Sequence, residues 1–143
     1  MEAWENASGG ALRVRRMDSA AQAQIRVLWA SAEQGLYGET QPIVVNGAPG
    51  AAVFVRPAPL DPEGDRLLRD AIVYLTCVHE TGHALGLAHT ANFADIMYSF
   101  ENGGNIPEYF ARYRRKLRTR GDIASNPGIS VNDQRQLRTI LAH

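Results

Sequence analysis

Three of the chain's four histidines stand within eleven residues, in the run His79-Glu80-Thr81-Gly82-His83-Ala84-Leu85-Gly86-Leu87-Ala88-His89. Residues four apart share one face of a helix, so His79 and His83 can point at the same metal ion. Glu80 stands about 100° around the helix from His79. Its carboxylate can there reach a water on that metal without being a ligand. Catalytic zinc takes three protein ligands and leaves a fourth position open. A continuing helix cannot offer His89 as the third, because six residues past His83 it would point roughly 240° away. Gly86 resolves this: it tolerates positive φ, ends the helix and lets the chain double back. A lone His-Glu-x-x-His arises by chance in many helices, but the glycine and the third histidine make sense only together. The chemistry implied is hydrolysis by metal-activated water, with His79, His83 and His89 as ligands and Glu80 as general base.

These groups need a rigid helix beneath them, and residues 65–85 carry the strongest helical signal in the chain. Leu68, Ile72 and Leu75 share a stripe with His79, while Ala71, Tyr74, Val78 and Leu85 form a second, so the helix should be buried on both sides. Upstream, Pro57, Pro59 and Pro62 break regular structure. Ile43-Val44-Val45 and Ala52-Val53-Phe54-Val55 read as strands flanking the turn-rich Asn46-Gly47-Ala48-Pro49-Gly50. Pro42 removes a ladder donor and marks the first of them as an edge strand. Leu12-Arg13-Val14-Arg15 alternates as a half-exposed strand does. Residues 19–34 leave two readings open: a strand at 25–29, or one helix capped by Ser19 and stopped by Gly35. Downstream, residues 107–120 read as a helix with Asn105 as cap, Glu108 in its first turn and Gly121 just beyond its end. Ser130 caps a last helix over 131–141, with Asp133 in the capping-box position.

With Gly86 and His89 in place, the central run resembles the extended zinc motif of the metzincin metallopeptidases. Asp95-Ile96-Met97-Tyr98 looks like that superfamily's Met-turn, which sets a methionine, here Met97, as an apolar floor under the metal. Thr90 and Tyr98 look most like the matrixins, which usually carry serine and tyrosine there. The likeness to bacterial matrixin-like proteins extends over residues 25–29, 35–40 and 52–55. It tips 25–29 towards strand and makes 41–46 an edge strand whose free backbone groups, at Ile43, Val44 and Val45, would pair with an extended substrate. The implied fold is a single α/β (α+β) catalytic domain over residues 1–143. It has a small twisted mixed sheet, mostly parallel with an antiparallel edge strand, packed on the zinc helix, and a C-terminal helix after the Met-turn. One catalytic zinc, a peptide or protein substrate beside Tyr98, and secretion are also implied. The family's first strand and most of its first helix find only the residues before Leu12, with Trp4 as a remnant of that helix. Either the sheet is smaller than in the family or the chain belongs to a longer protein. Ser99 stands where matrixins carry proline. Cys77 lies two residues from His79, facing away from the metal, and is expected in the core. With His143 the only spare histidine, no structural zinc or calcium site is expected.

The 143 residues suffice for one domain. With 15 basic and 15 acidic side chains, the formal net charge of zero gives no global reason to expect nucleic acid or membrane as a partner. No apolar run approaches the ~20 residues of a bilayer span. Met-Glu-Ala-Trp-Glu has neither a basic n-region nor an apolar h-region, so no export signal is visible. A single cysteine excludes an internal disulfide, and a monomer is favoured. Two rival functions remain: a zinc-binding interaction module without proteolysis, against which Glu80 speaks, and a binder of acidic partners through residues 109–120. That stretch carries Arg112, Arg114, Arg115, Lys116, Arg118 and Arg120 with no acid. Phe110, Tyr113 and Leu117 make its apolar stripe. In the family, the segment after the Met-turn borders the primed-side pocket, so Arg114 and Arg115 are candidate substrate-binding residues favouring Asp or Glu there.

Overall fold

The structure, a computed structural model, describes residues 1–31, 37–58 and 64–142. Gly35, Pro59, Pro62 and His143 lie outside the described residues, as does part of the alternative helix over 19–34. The chain runs through α1 (Glu2–Ala7), β1 (Ile25–Trp29), β2 (Gly38–Val45), β3 (Ala48–Val55), α2 (Arg66–Ala84), α3 (Ile106–Arg114) and α4 (Val131–Leu141). Two short 3-10 segments, Phe100–Asn102 and Arg120–Ser125, flank α3.

α2 is central, with β2 and β3 against one side and α1 and α3 against the other. Asp65 caps it by accepting from the Leu67 and Leu68 amides at 3.0 Å. Gly86, at φ 93°, reverses the chain. Its amide donates to the His83 carbonyl at 2.9 Å, and the Leu87 amide donates to the Gly82 carbonyl at 3.0 Å, the two bonds of a Schellman ending. The main core lies between α2 and the C-terminal half, built from Leu75, Val78, Ile96, Met97, Tyr109 and Leu137 among others. Trp4 joins it from α1, fully buried, its indole N–H donating to the Val78 carbonyl at 2.9 Å.

The sheet has the order β1-β3-β2. β1 pairs parallel with β3, and β2 pairs antiparallel with β3. Residues 25–29 are thus a strand, and the edge strand falls where Pro42 placed it, opposite Ala51. The connection is tighter than the sequence suggested. Asn46 (φ 50°) and Gly47 (φ 79°) form a two-residue turn, and Ala48, Pro49 and Gly50 already belong to β3. The sheet is mixed as expected but not mostly parallel: among the described residues the antiparallel pairing is the longer one. Leu12-Arg13-Val14-Arg15 is not a strand. No described strand lies beside it, and alternation alone cannot hold an extended segment without a ladder partner.

The helix expected over 107–120 stops at Arg114. Asp122 then accepts from the Arg118 and Thr119 amides at 2.7 and 2.8 Å, drawing the chain into the 3-10 segment that contains Gly121. Phe110, Tyr113 and Leu117 are nonetheless all buried. The cationic face expected of 109–120 is broken up by partners both near and distant in sequence. Arg112 lies over the Phe93 and Tyr109 rings at 4.9 and 4.4 Å, Arg114 pairs with Asp65 at 2.7 Å, and Arg120 approaches Asp70 at 3.7 Å. Arg115 pairs with Glu108. Cys77 is half-buried and stands outside the core cluster, contrary to its expected place.

Candidate metal centre

His79 and His83 project from consecutive turns of α2, and the reversal at Gly86 brings His89 back over them. The Nε2 atom of His89 lies 3.2 Å from that of His79 and 3.0 Å from that of His83. Among the described residues this trio is the one group of three or more His, Cys, Asp or Glu side chains placed to share an ion. The other ring nitrogens explain the orientation. His79 Nδ1 faces the Ile96 carbonyl at 2.7 Å, and His83 Nδ1 faces the Leu87 carbonyl at 2.9 Å. A carbonyl only accepts, so both Nδ1 atoms carry the proton and both Nε2 atoms present lone pairs to the cleft. His89 Nε2 can offer at most one proton to the two of them. Three imidazole nitrogens so close, with fewer protons than lone pairs, fit a cation. Tetrahedral zinc with bonds of about 2.0–2.1 Å would hold its nitrogens about 3.3 Å apart.

Burial of His79, with lesser repulsion from His83 and His89, takes its imidazole down to about 4 despite the opposing Ile96 hydrogen bond. Burial also lowers His89. Both shifts keep the rings neutral, the form that binds metal. Glu80 is buried beside the trio, and burial pushes its carboxyl above the ordinary range, against the pull of Thr40 and His83.

The segment around Met97 supports this arrangement from below. A Cβ on Gly82 would stand 2.5 Å from Met97 Sδ and 2.9 Å from a Trp4 ring carbon. Met97 and Trp4 therefore meet the turn of α2 between the two histidines where only a glycine leaves room. Met97 is completely buried. Its peptide is held by Asp133, which accepts from the Ile96 amide at 2.8 Å and the Met97 amide at 3.3 Å while closing the Ser130 capping box. Asp95, equally buried, accepts from Ser130 Oγ and Asn132 Nδ2, both at 2.7 Å. Tyr109 donates to the Asp95 carbonyl at 3.0 Å. The capping pattern announced Asp133 as the partner of the Ser130 cap, but nothing local linked Asp133 or Tyr109 to the histidines, and Asp95 entered only as the first residue of the run around Met97.

A cleft of ≈ 390 Å³ opens in front of the trio, lined by β2 at Gly38, Glu39 and Thr40, by α2, and by Tyr37, Tyr98, Phe100, Tyr109 and Phe110. Tyr98 thus lies at the cleft, its hydroxyl donating to the Gly103 carbonyl at 2.6 Å. Ser99 donates its amide to the Thr90 carbonyl at 3.0 Å, a bond that proline could not make, and its hydroxyl accepts from the Glu101 amide. Ile43, Val44 and Val45 do not line the cleft: β2 meets α2 nearer its start, and Val44 faces solvent. Arg114 and Arg115 are also absent from the lining, committed to Asp65 and Glu108.

The family model described as Matrixin matches residues 1–108. No curated protein and no solved structure matches the chain.

Proposed function

Because this chain belongs to the matrixin family, whose model covers residues 1–108 of its 143, we propose that it is a zinc-dependent endopeptidase acting as one catalytic domain. The observation that carries this reading is the convergence of the His79, His83 and His89 Nε2 atoms, two of them fixed as lone-pair donors by backbone carbonyls. Those three side chains would hold the metal. Bound there, zinc supplies a Lewis acid that makes water acidic near neutral pH and polarises a carbonyl.

Glu80 is the general base. It takes a proton from the attacking water and gives it to the amide nitrogen as the peptide bond breaks. Burial of its carboxyl brings its proton affinity closer to neutrality, which suits a group that must both accept and return a proton. The open edge of β2 offers backbone N–H and C=O groups to an extended peptide, and the aromatic wall of the cleft receives a side chain beside the scissile bond. Tyr98 belongs to that wall. The test is a peptide-library cleavage profile with and without chelator. Cleavage abolished by chelation and restored by zinc is expected. A zinc-loaded protein that cleaves nothing would leave only the zinc-binding module.

A further inference from the structure

Among the described residues, one side chain hydrogen-bonds the Glu80 carboxyl: Thr40 of β2, whose Oγ1 stands 2.7 Å from Oε2 and 2.8 Å from the Glu80 carbonyl oxygen. We infer that Thr40 is the positioning residue for the general base, holding Oε2 so that Oε1 faces the attacking water. The inference rests on the proposed peptidase function.

Two independent features bring β2 this close. Residues two apart on a strand point to the same face, so Gly38 and Thr40 both face α2. A Cβ at Gly38 would lie 2.8 Å from Glu80 Cγ, 2.8 Å from Thr76 Cγ2 and 2.9 Å from the Phe54 carbonyl. Glycine there lets the strand settle onto the helix at the level of Glu80, and Thr40 is the next residue on that face. A carboxyl on three rotatable bonds, buried with no other side-chain partner among the described residues, would lack a fixed direction. The Thr40 hydroxyl has one proton and two acceptors in reach. With Glu80 ionised it donates to Oε2. Once Oε1 has accepted the water's proton, the hydroxyl keeps Oε2 or turns to the Glu80 carbonyl without displacing a heavy atom. The acquired proton thus stays on the oxygen facing the cleft, ready for the leaving nitrogen.

The experiment compares Thr40→Val, which keeps the shape and removes the hydroxyl, with Thr40→Ser, which restores it. In the zinc-loaded protein, Thr40→Val should lower kcat about 10- to 100-fold with KM within about twofold, and Thr40→Ser should recover most of the loss. Zinc content should be unchanged in both. Crystal structures of the two variants supply a readout besides activity: the Glu80 carboxyl should leave its position in Thr40→Val and keep it in Thr40→Ser. Wild-type kcat in Thr40→Val, a loss that serine does not restore, or an unmoved Glu80 would each overturn the inference. If the wild-type protein binds zinc and cleaves no peptide, the peptidase reading fails, and the position of Glu80 in Thr40→Val alone decides the role of Thr40.

Discussion

At the residue scale, Glu80 and Gly82 make opposite predictions about the same turn of α2. Glu80 is one residue from His79, a proposed ligand, but directs its carboxyl to Thr40 rather than into the imidazole trio. Glu80→Gln should therefore keep close to one zinc per chain while losing about 10²–10⁴-fold in kcat. Metal analysis beside peptide hydrolysis checks this, and metal loss in the variant would make Glu80 a ligand after all. Gly82→Ala should disturb the metal centre without touching any ligand. Alanine improves helix propensity by about 1 kcal/mol, but its methyl would stand 2.5 Å from Met97 Sδ and 2.9 Å from Trp4, both fully buried. Overpacking of this kind costs about 1–3 kcal/mol. A lowered Tm together with weaker zinc affinity is expected, and an unchanged Tm would show that Met97 and Trp4 yield freely.

At the element scale, α4 anchors the segment carrying Met97 through one carboxylate. Asp133 accepts from the Ser130, Ile96 and Met97 amides and has no solvent exposure. Asp133→Ala removes a helix cap and strands two buried amides, each left to bear its own desolvation, for a total of about 2–4 kcal/mol. Urea unfolding should show that loss. Since the Ile96 carbonyl also orients His79, zinc affinity should fall with it. Removing the Ser130 hydroxyl touches a bond to Asp95 and the Asp133 amide but leaves the Asp133 carboxylate on Ile96 and Met97. Ser130→Ala should therefore cost less than Asp133→Ala, and the reverse order would show that the helix cap outweighs the link to Met97.

At the scale of the whole molecule, the half-buried imidazole of His79 makes the metal-free fold sensitive to acid. His79 titrates near 4 in the fold against an ordinary value of 6.5, chiefly through burial, and His89 shifts in the same direction. Between those values the unfolded chain binds the proton that the folded chain refuses. Stability is thus fully present above 6.5 and lost as pH falls towards about 4, by at most about 1.4 kcal/mol per pH unit for His79, while the exposed His89 is screened by solvent and adds little. The Glu80 carboxyl, raised by burial, works in the opposite sense. Thermal melts of chelated Glu80→Gln protein isolate the histidine slope. A Tm that does not decline from pH 6.5 to 5 would contradict it. Added zinc should raise Tm at pH 7, because it binds the folded trio preferentially, and should raise it less at pH 5, where protons compete for the same nitrogens.

The sequence by itself determined what helical periodicity and chain reversal can express. The i, i+4 histidine pair, the glycine stop and the returning His89 are local. So are the Asn105 and Ser130 caps, and each stands in the structure as a spacing of a few residues dictates. Tertiary structure decided which parts of β2 and of the arginine-rich segment meet the cleft. Sheet register and the close approach at Gly38 chose Gly38, Glu39 and Thr40 over Ile43, Val44 and Val45. Asp65 and Asp70, more than forty positions away, claimed Arg114 and Arg120. Trp4 reached Gly82, and Asp133 reached Met97, across most of the chain or a good part of it. No periodicity encodes such pairings, because whether a side chain faces a cleft or a counter-charge depends on how separately formed elements pack.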